Sequence, residues 1–226
     1  MKPNIKYILT DIEGTTTSVS FVYDVLFPYF REHVKDLLAI STTEVATALQ
    51  DARLLHEQET GISGLDDAAL LDLILSWSLD DRKVTPLKSL QGILWKNAYE
   101  SGAIKAHVYD DVPLALSKWL TAGIQLAVFS SGSVAAQKLL FKYANQGDLS
   151  SFFSAYFDTT SGSKRDAVTY SIIAEKLGCE PQELLFLSDI QEELVAASTA
   201  GCDTIQLVRP GNFATWHHAV NDFSQI

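Results

Sequence analysis

Five short runs of apolar residues, each stopping at or beside a polar position, read as strands buried on both faces: Tyr7 to Thr10, Gln125 to Phe129, Ala155 to Phe157, Leu184 to Leu187 and Thr204 to Val208. Between the later ones lie helical patterns, from Pro113 to Leu120, Val134 to Tyr143, Asp166 to Leu177 and Glu192 to Ala200. Gly123, Gly178 and Gly201 close three of the four. Strand alternating with helix predicts a parallel sheet covered on both faces, an α/β three-layer core of the Rossmann-like kind.

About a hundred residues after the first strand break this rhythm and carry no strand pattern. Phe21, Val25, Tyr29, His33 and Leu37 recur every fourth residue, beside Leu26, Phe30, Val34 and Leu38, which predicts one apolar helical stripe kinked at Pro28. Ser41 and Glu44 have the spacing of a capping box for a second helix bearing Val45, Ala46, Leu49 and Ala52. A third helix presents Leu70, Leu71, Ile74 and Leu75; a fourth starts at Thr85-Pro86 and presents Leu87, Leu90 and Leu94. The expected organisation is therefore a core from residues 1–18 and 107–226 with an inserted helical cap from residues 19–106, the cap lying over the strand ends.

Composition supports an ordinary globular chain: 226 residues, 47% apolar and 20% charged. A net charge of −11 and a pI near 4.8 provide no basic footprint for nucleic acid or anionic lipid, so neither is expected as a partner. Cys179 and Cys202 form no Cys-x-x-Cys pair and read as small apolar fillers. The apolar stretch before Asp11 is too short for a signal peptide, and no run approaches a membrane span, so a cytoplasmic monomer is expected.

The chemistry sits where strands end. After the first strand, Asp11-Ile12-Glu13-Gly14-Thr15 delivers two carboxylates to the edge where open α/β sheets bind ligands, although Asp-x-Glu-Gly also serves as a plain strand exit. Ser130-Ser131-Gly132 follows the second strand and precedes a helix, which makes either an anion site or an N-cap. Lys164 is a cation ahead of another helix, and lysines are commonly just solvated. Ser188-Asp189 follows the fourth strand, with Glu192 and Glu193 either complementing the helix dipole or supporting Asp189. His217-His218 reads as a solvated tail, and Trp77, Trp95 and Trp119 as packing residues.

The order of these motifs resembles the four motifs of the haloacid-dehalogenase-like phosphatases. That resemblance implies Asp11 as nucleophile, Ser130, Ser131 and Lys164 as phosphate-holding groups, and Asp189 as a magnesium ligand. Glu13, where the superfamily usually has aspartate, narrows the match. Asp11 through Thr17, Ser20 through Tyr29, Leu94-Trp95 through Gly102, His107-Val108-Tyr109, Val112-Pro113, Lys164 through Tyr170 and Val208 through Asn212 are similar to the enolase-phosphatases of methionine salvage. Asp110-Asp111 departs from that family's Pro-Asp.

The resemblance implies a Mg²⁺-dependent enzyme that takes 2,3-diketo-5-methylthiopentyl-1-phosphate to an acireductone through an aspartyl-phosphate on Asp11. Asp11, Asp189 and the Glu13 main-chain carbonyl would hold the metal, and Glu13 would exchange protons. Two alternatives remain at this point: a same-fold phosphatase for another small phosphate such as a sugar phosphate, and a non-catalytic phosphate-binding scaffold.

Overall fold

The computed structural model describes residues 4–226. Met1 to Pro3, the start of the segment expected to be too short for a signal peptide, lie outside that range. Among the described residues, six strands form one parallel sheet: β1 (Tyr7–Thr10), β2 (Gln125–Phe129), β3 (Ala155–Phe157), β4 (Leu184–Ser188), β5 (Asp203–Leu207) and β6 (Ala219–Val220), in the order β3-β2-β1-β4-β5-β6. β1 sits between β2 and β4, with Thr10 opposite both Val128 and Leu187. The chain leaves β1 toward β2 on one side and returns to β4 on the other, so the strand order reverses beside β1. A ligand crevice is expected at the carboxyl ends of these strands.

The chain divides into two compact units, Met1–Val19 with Lys105–Ile226, and Ser20–Ile104. From the end of the first segment, a short helix α1 (Val19–Phe21) runs into a π-helical turn, Val22–Leu26, and then into α2 (Phe27–His33). The extra residue of that wider turn shifts the register. Leu26, Phe27, Phe30, Val34 and Leu37 are therefore buried, whereas Val25 and Leu38 of the expected stripe are exposed. Pro28 sits in the first turn of α2, where its missing N–H costs no intrahelical bond.

α3 (Thr43–Thr60) is capped by Thr42, whose hydroxyl accepts the Val45 N–H, rather than by Ser41. Its buried face uses Ala48 in place of the exposed Ala46. With α4 (Asp67–Leu79) and α5 (Thr85–Ser101) it encloses Leu49, Ala52, Leu70, Ile74, Leu87, Leu90 and Leu94. Trp77 belongs to that core, and Trp95 donates its indole N–H to the Leu26 carbonyl at 2.9 Å.

The other unit continues with α6 (Asp111–Thr121), α7 (Val134–Lys142), α8 (Ala167–Leu177) and α9 (Gln191–Thr199). Leu9, Phe129 and Phe186 from the sheet pack with Tyr170 and Ile173 of α8 and Leu194 and Ala197 of α9. This burial fixes the strand ends relative to two helix starts. Cys179 and Cys202 are unpaired thiols, and burial pushes Cys202 up to about 12. Among the described residues, no helix is long and apolar enough to cross a membrane.

Candidate active site

Asp11 follows β1, and its N–H donates to the Leu187 carbonyl at 2.9 Å, extending the ladder by one residue. Its side chain is thereby fixed at the strand end. Oδ1 accepts the Ile12 N–H at 2.7 Å and lies 2.7 Å from Lys164 Nζ. Two donors on one oxygen set the rotation of the carboxylate. Lys164 Nζ also lies 2.8 Å from Glu193 Oε2, which accepts the Ser188 hydroxyl at 2.9 Å. Burial would lower the Lys164 pKa, but the Asp11 and Glu193 carboxylates overcome it and hold the ammonium above its ordinary value.

The lysine is placed by its loop. The Tyr170 hydroxyl donates to the Lys164 carbonyl at 2.7 Å, and the Asp166 side chain caps α8. Gly162 has φ of 134°, and a Cβ there would stand 2.2 Å from Thr169 Oγ1, so only glycine lets the loop approach α8.

Glu13 turns toward the second motif. The Ser130 hydroxyl donates to Glu13 Oε2 at 3.0 Å and accepts the Gly132 N–H at 3.1 Å. Gln137 donates to the carbonyls of Gly132 and Phe157, each at 2.8 Å, and so fastens the turn after β2. Ser131 is exposed in that turn, ahead of the Ser133 cap of α7. Burial, and then the charge of Asp11, push Glu13 upward.

Asp189 lies against the loop after β1: a Cβ on Gly14, whose φ is 75°, would be 2.2 Å from Asp189 Oδ2. Burial first, and the Asp11 charge second, raise Asp189 to about 7. The same two causes, in the same order, raise Glu193 to about 7. Glu192 is exposed, so the choice between the two glutamates falls on Glu193. Ser188, read in the sequence only as part of the Ser-Asp strand exit, ties Glu193 in place; Gln137 carried no signal at the level of sequence.

Asp11, Glu13, Asp189 and Glu193 thus share their surroundings with one ammonium, Lys164. Asp189 Oδ1 is buried with no hydrogen-bond partner. Among the described residues, no three His, Cys, Asp or Glu side chains form a ready metal cage. The Asp11 and Asp189 carboxylates are hard oxygen donors at these strand ends. Excess negative charge, an orphaned carboxylate oxygen and few hard oxygen donors suit a cation that keeps much of its water, as Mg²⁺ does.

His217 and His218 are exposed and line, with Leu185, Cys202 and Asp203, a cavity of about 640 Å³ that Asp11, Lys164 and Asp189 do not line.

The model of the haloacid dehalogenase-like hydrolases matches residues 5–201. The enolase-phosphatase E1 of Picosynechococcus sp. is 48% identical over 224 residues, 98% of each chain, and that of Pseudomonas fluorescens is 47% identical over 225 residues, 99% of this chain and 97% of the relative. The crystal structure of the UTR4 protein of Saccharomyces cerevisiae has a TM-score of 0.80 at 35% identity, covering 98% of this chain and 100% of that one. CbbY from Rhodobacter sphaeroides, solved with phosphate, shares the fold at 17% identity and a TM-score of 0.61, covering 98% of this chain and 96% of that one. With a strand-end aspartate, a buried lysine and a second acidic strand end converging in one place, and with relatives alike over nearly their whole length, the chain belongs to the haloacid dehalogenase-like hydrolases and, within them, to the enolase-phosphatase family.

Proposed function

We propose that this chain is a magnesium-dependent enolase-phosphatase of methionine salvage. It converts 2,3-diketo-5-methylthiopentyl-1-phosphate, through its enol form, to 1,2-dihydroxy-3-keto-5-methylthiopentene and phosphate. The observation that carries the proposal is the 2.7 Å contact between Lys164 Nζ and Asp11 Oδ1. A binding module has no need of a strand-end carboxylate pinned beside a buried ammonium, whereas phosphoryl transfer to a carboxylate needs both. The relatives named enolase-phosphatase support the same reading.

The product carries hydroxyls on carbons 1 and 2, so enolisation removes a proton from carbon 1 and delivers one to the oxygen on carbon 2. The phosphoryl group then passes to Asp11: an Asp11 oxygen bonds to phosphorus and the bond from phosphorus to the carbon-1 oxygen breaks. Glu13 supplies the proton for that leaving oxygen and takes one from the water that later attacks the aspartyl-phosphate, releasing phosphate and restoring Asp11. Ser130, the Ser131 amide and Lys164 hold the transferring group. The Asp11 and Asp189 carboxylates and the Glu13 carbonyl would hold Mg²⁺. When bound, Mg²⁺ offsets the repulsion between carboxylate and phosphate and stabilises enolate charge. The net charge of −11 suits a soluble cytoplasmic monomer and makes local cations the main attraction for an anionic substrate.

The test follows phosphate release and the ultraviolet absorbance of the enediol together, with the diketo phosphate and with simple sugar phosphates. Matched appearance of both products from the diketo phosphate supports the proposal. Phosphate release without enol product, or preference for a sugar phosphate, would leave only the general phosphatase.

A further inference from the structure

Arg209 follows β5 and is 4% exposed, a permanent cation whose burial is costly unless its donors are matched. Nε donates to the Thr15 carbonyl at 2.9 Å, and Nη1 pairs with Asp111 Oδ1 at 2.9 Å. The guanidinium lies 4.0 Å from the centre of the Tyr109 ring and 5.3 Å from that of Phe223. Asp111 Oδ2 accepts the Phe223 N–H at 2.7 Å, and Nη2 is buried with no partner. The loop after β1, the start of α6 and the C-terminal turn therefore meet on one side chain.

Bracing α6 against the C-terminal turn accounts for Asp111 and Phe223 but not for the bond to Thr15. That carbonyl belongs to the loop that carries Glu13 and Gly14. Within the loop, the N–H groups of Thr15, Thr16 and Thr17 all point at the Ile12 carbonyl, at 3.2, 2.9 and 3.0 Å. Three donors on one acceptor make a tight turn; the Tyr109 N–H holds its Thr16 carbonyl from outside at 3.1 Å, and Arg209 holds the Thr15 carbonyl, next to Gly14.

We infer that Arg209 is a positioning residue for the reaction: through the Thr15 carbonyl it holds the backbone from which Glu13 reaches Ser130 and Gly14 abuts Asp189. This inference rests on the proposed reading of the site. Lysine cannot bond Thr15 and Asp111 together from one planar fork, so Arg209→Lys is not conservative here.

The experiment compares Arg209→Lys and Arg209→Gln with Phe223→Leu, which loosens the same cluster without touching the Thr15 bond. Both Arg209 variants are expected to lower kcat on the diketo phosphate by at least about tenfold with KM within about threefold. Hydrogen–deuterium exchange of the peptide spanning residues 11–18 should quicken in both. Phe223→Leu, at a similar loss of Tm, should keep kcat within about threefold of wild type and leave exchange in that peptide unchanged. Unaltered loop exchange or kcat in the Arg209 variants, or the same losses in Phe223→Leu, would overturn the inference. A wild-type protein inert toward the diketo phosphate would instead sink the reading of the site, while loop exchange would still decide whether Arg209 holds Thr15.

Discussion

Lys164 Nζ bridges two carboxylates, standing 2.7 Å from Asp11 Oδ1 and 2.8 Å from Glu193 Oε2. It is the ammonium in that group, and any phosphoryl oxygen brought to Asp11 arrives beside it. Lys164→Met keeps most of the stem and removes the charge. Phosphate release should fall by about a hundredfold to a thousandfold, and a loss below tenfold would be too small for the role described.

The two neighbouring glutamates at the start of α9 should part company. Glu193 is buried and accepts from Lys164 and Ser188, so Glu193→Gln should lower activity by about tenfold to a hundredfold. Glu192 faces solvent, and Glu192→Gln should leave activity near wild type. Equal effects in the two variants would mean that the contact with Lys164 is idle.

Magnesium should act on stability as well as turnover. At a hundredfold excess over its dissociation constant a ligand specific for the folded state contributes about 2.7 kcal/mol, which for a chain of this size raises Tm by about 5–10 °C. Asp189→Asn removes a carboxylate proposed to hold the metal, whose Oδ1 has no protein partner, so the rise should vanish while the metal-free Tm holds or increases. A variant that still gains the full increment would remove Asp189 from the metal site.

His107 predicts a pH dependence of stability. Its Nδ1 accepts the Ser18 N–H at 3.1 Å, a bond that requires an unprotonated nitrogen. Burial first, with Arg209 adding to it and Asp110 opposing, holds the imidazole below its ordinary pKa. The unfolded chain therefore binds this proton more readily. Stability from His107 is fully present above its unfolded value, about 6.5, and is lost as pH falls through the lower folded value. Tm measured between pH 8 and 5 should drop more steeply for wild type than for His107→Asn, and parallel curves would contradict the assignment.

The parts of this molecule that were legible in sequence are those in which one local pattern carries the information. Strands buried on both faces announce themselves as unbroken apolar runs, and polar residues at their exits marked Asp11, Ser130 and Asp189 before any geometry was known. The π-helical turn at Val22–Leu26 was not legible, because the apolar residues on either side fit an unbroken helix equally well. Ser41 and Thr42 are both competent caps, and the extended backbone that makes Thr42 the cap is a property of the folded chain. β6 has two residues, too few for any periodicity. Arg209 stayed hidden for another reason: Thr15, Asp111 and Phe223 meet only after the sheet has formed, so no window of sequence contains the cluster.

The proposed reaction stands or falls on Asp11 forming the bond to phosphorus. Asp11→Asn keeps the side-chain volume and removes the nucleophilic charge, so turnover of the diketo phosphate and affinity for inorganic phosphate, measured separately, isolate that role. Turnover should fall at least about a thousandfold with phosphate still bound and Tm preserved. Turnover within tenfold of wild type would contradict that role.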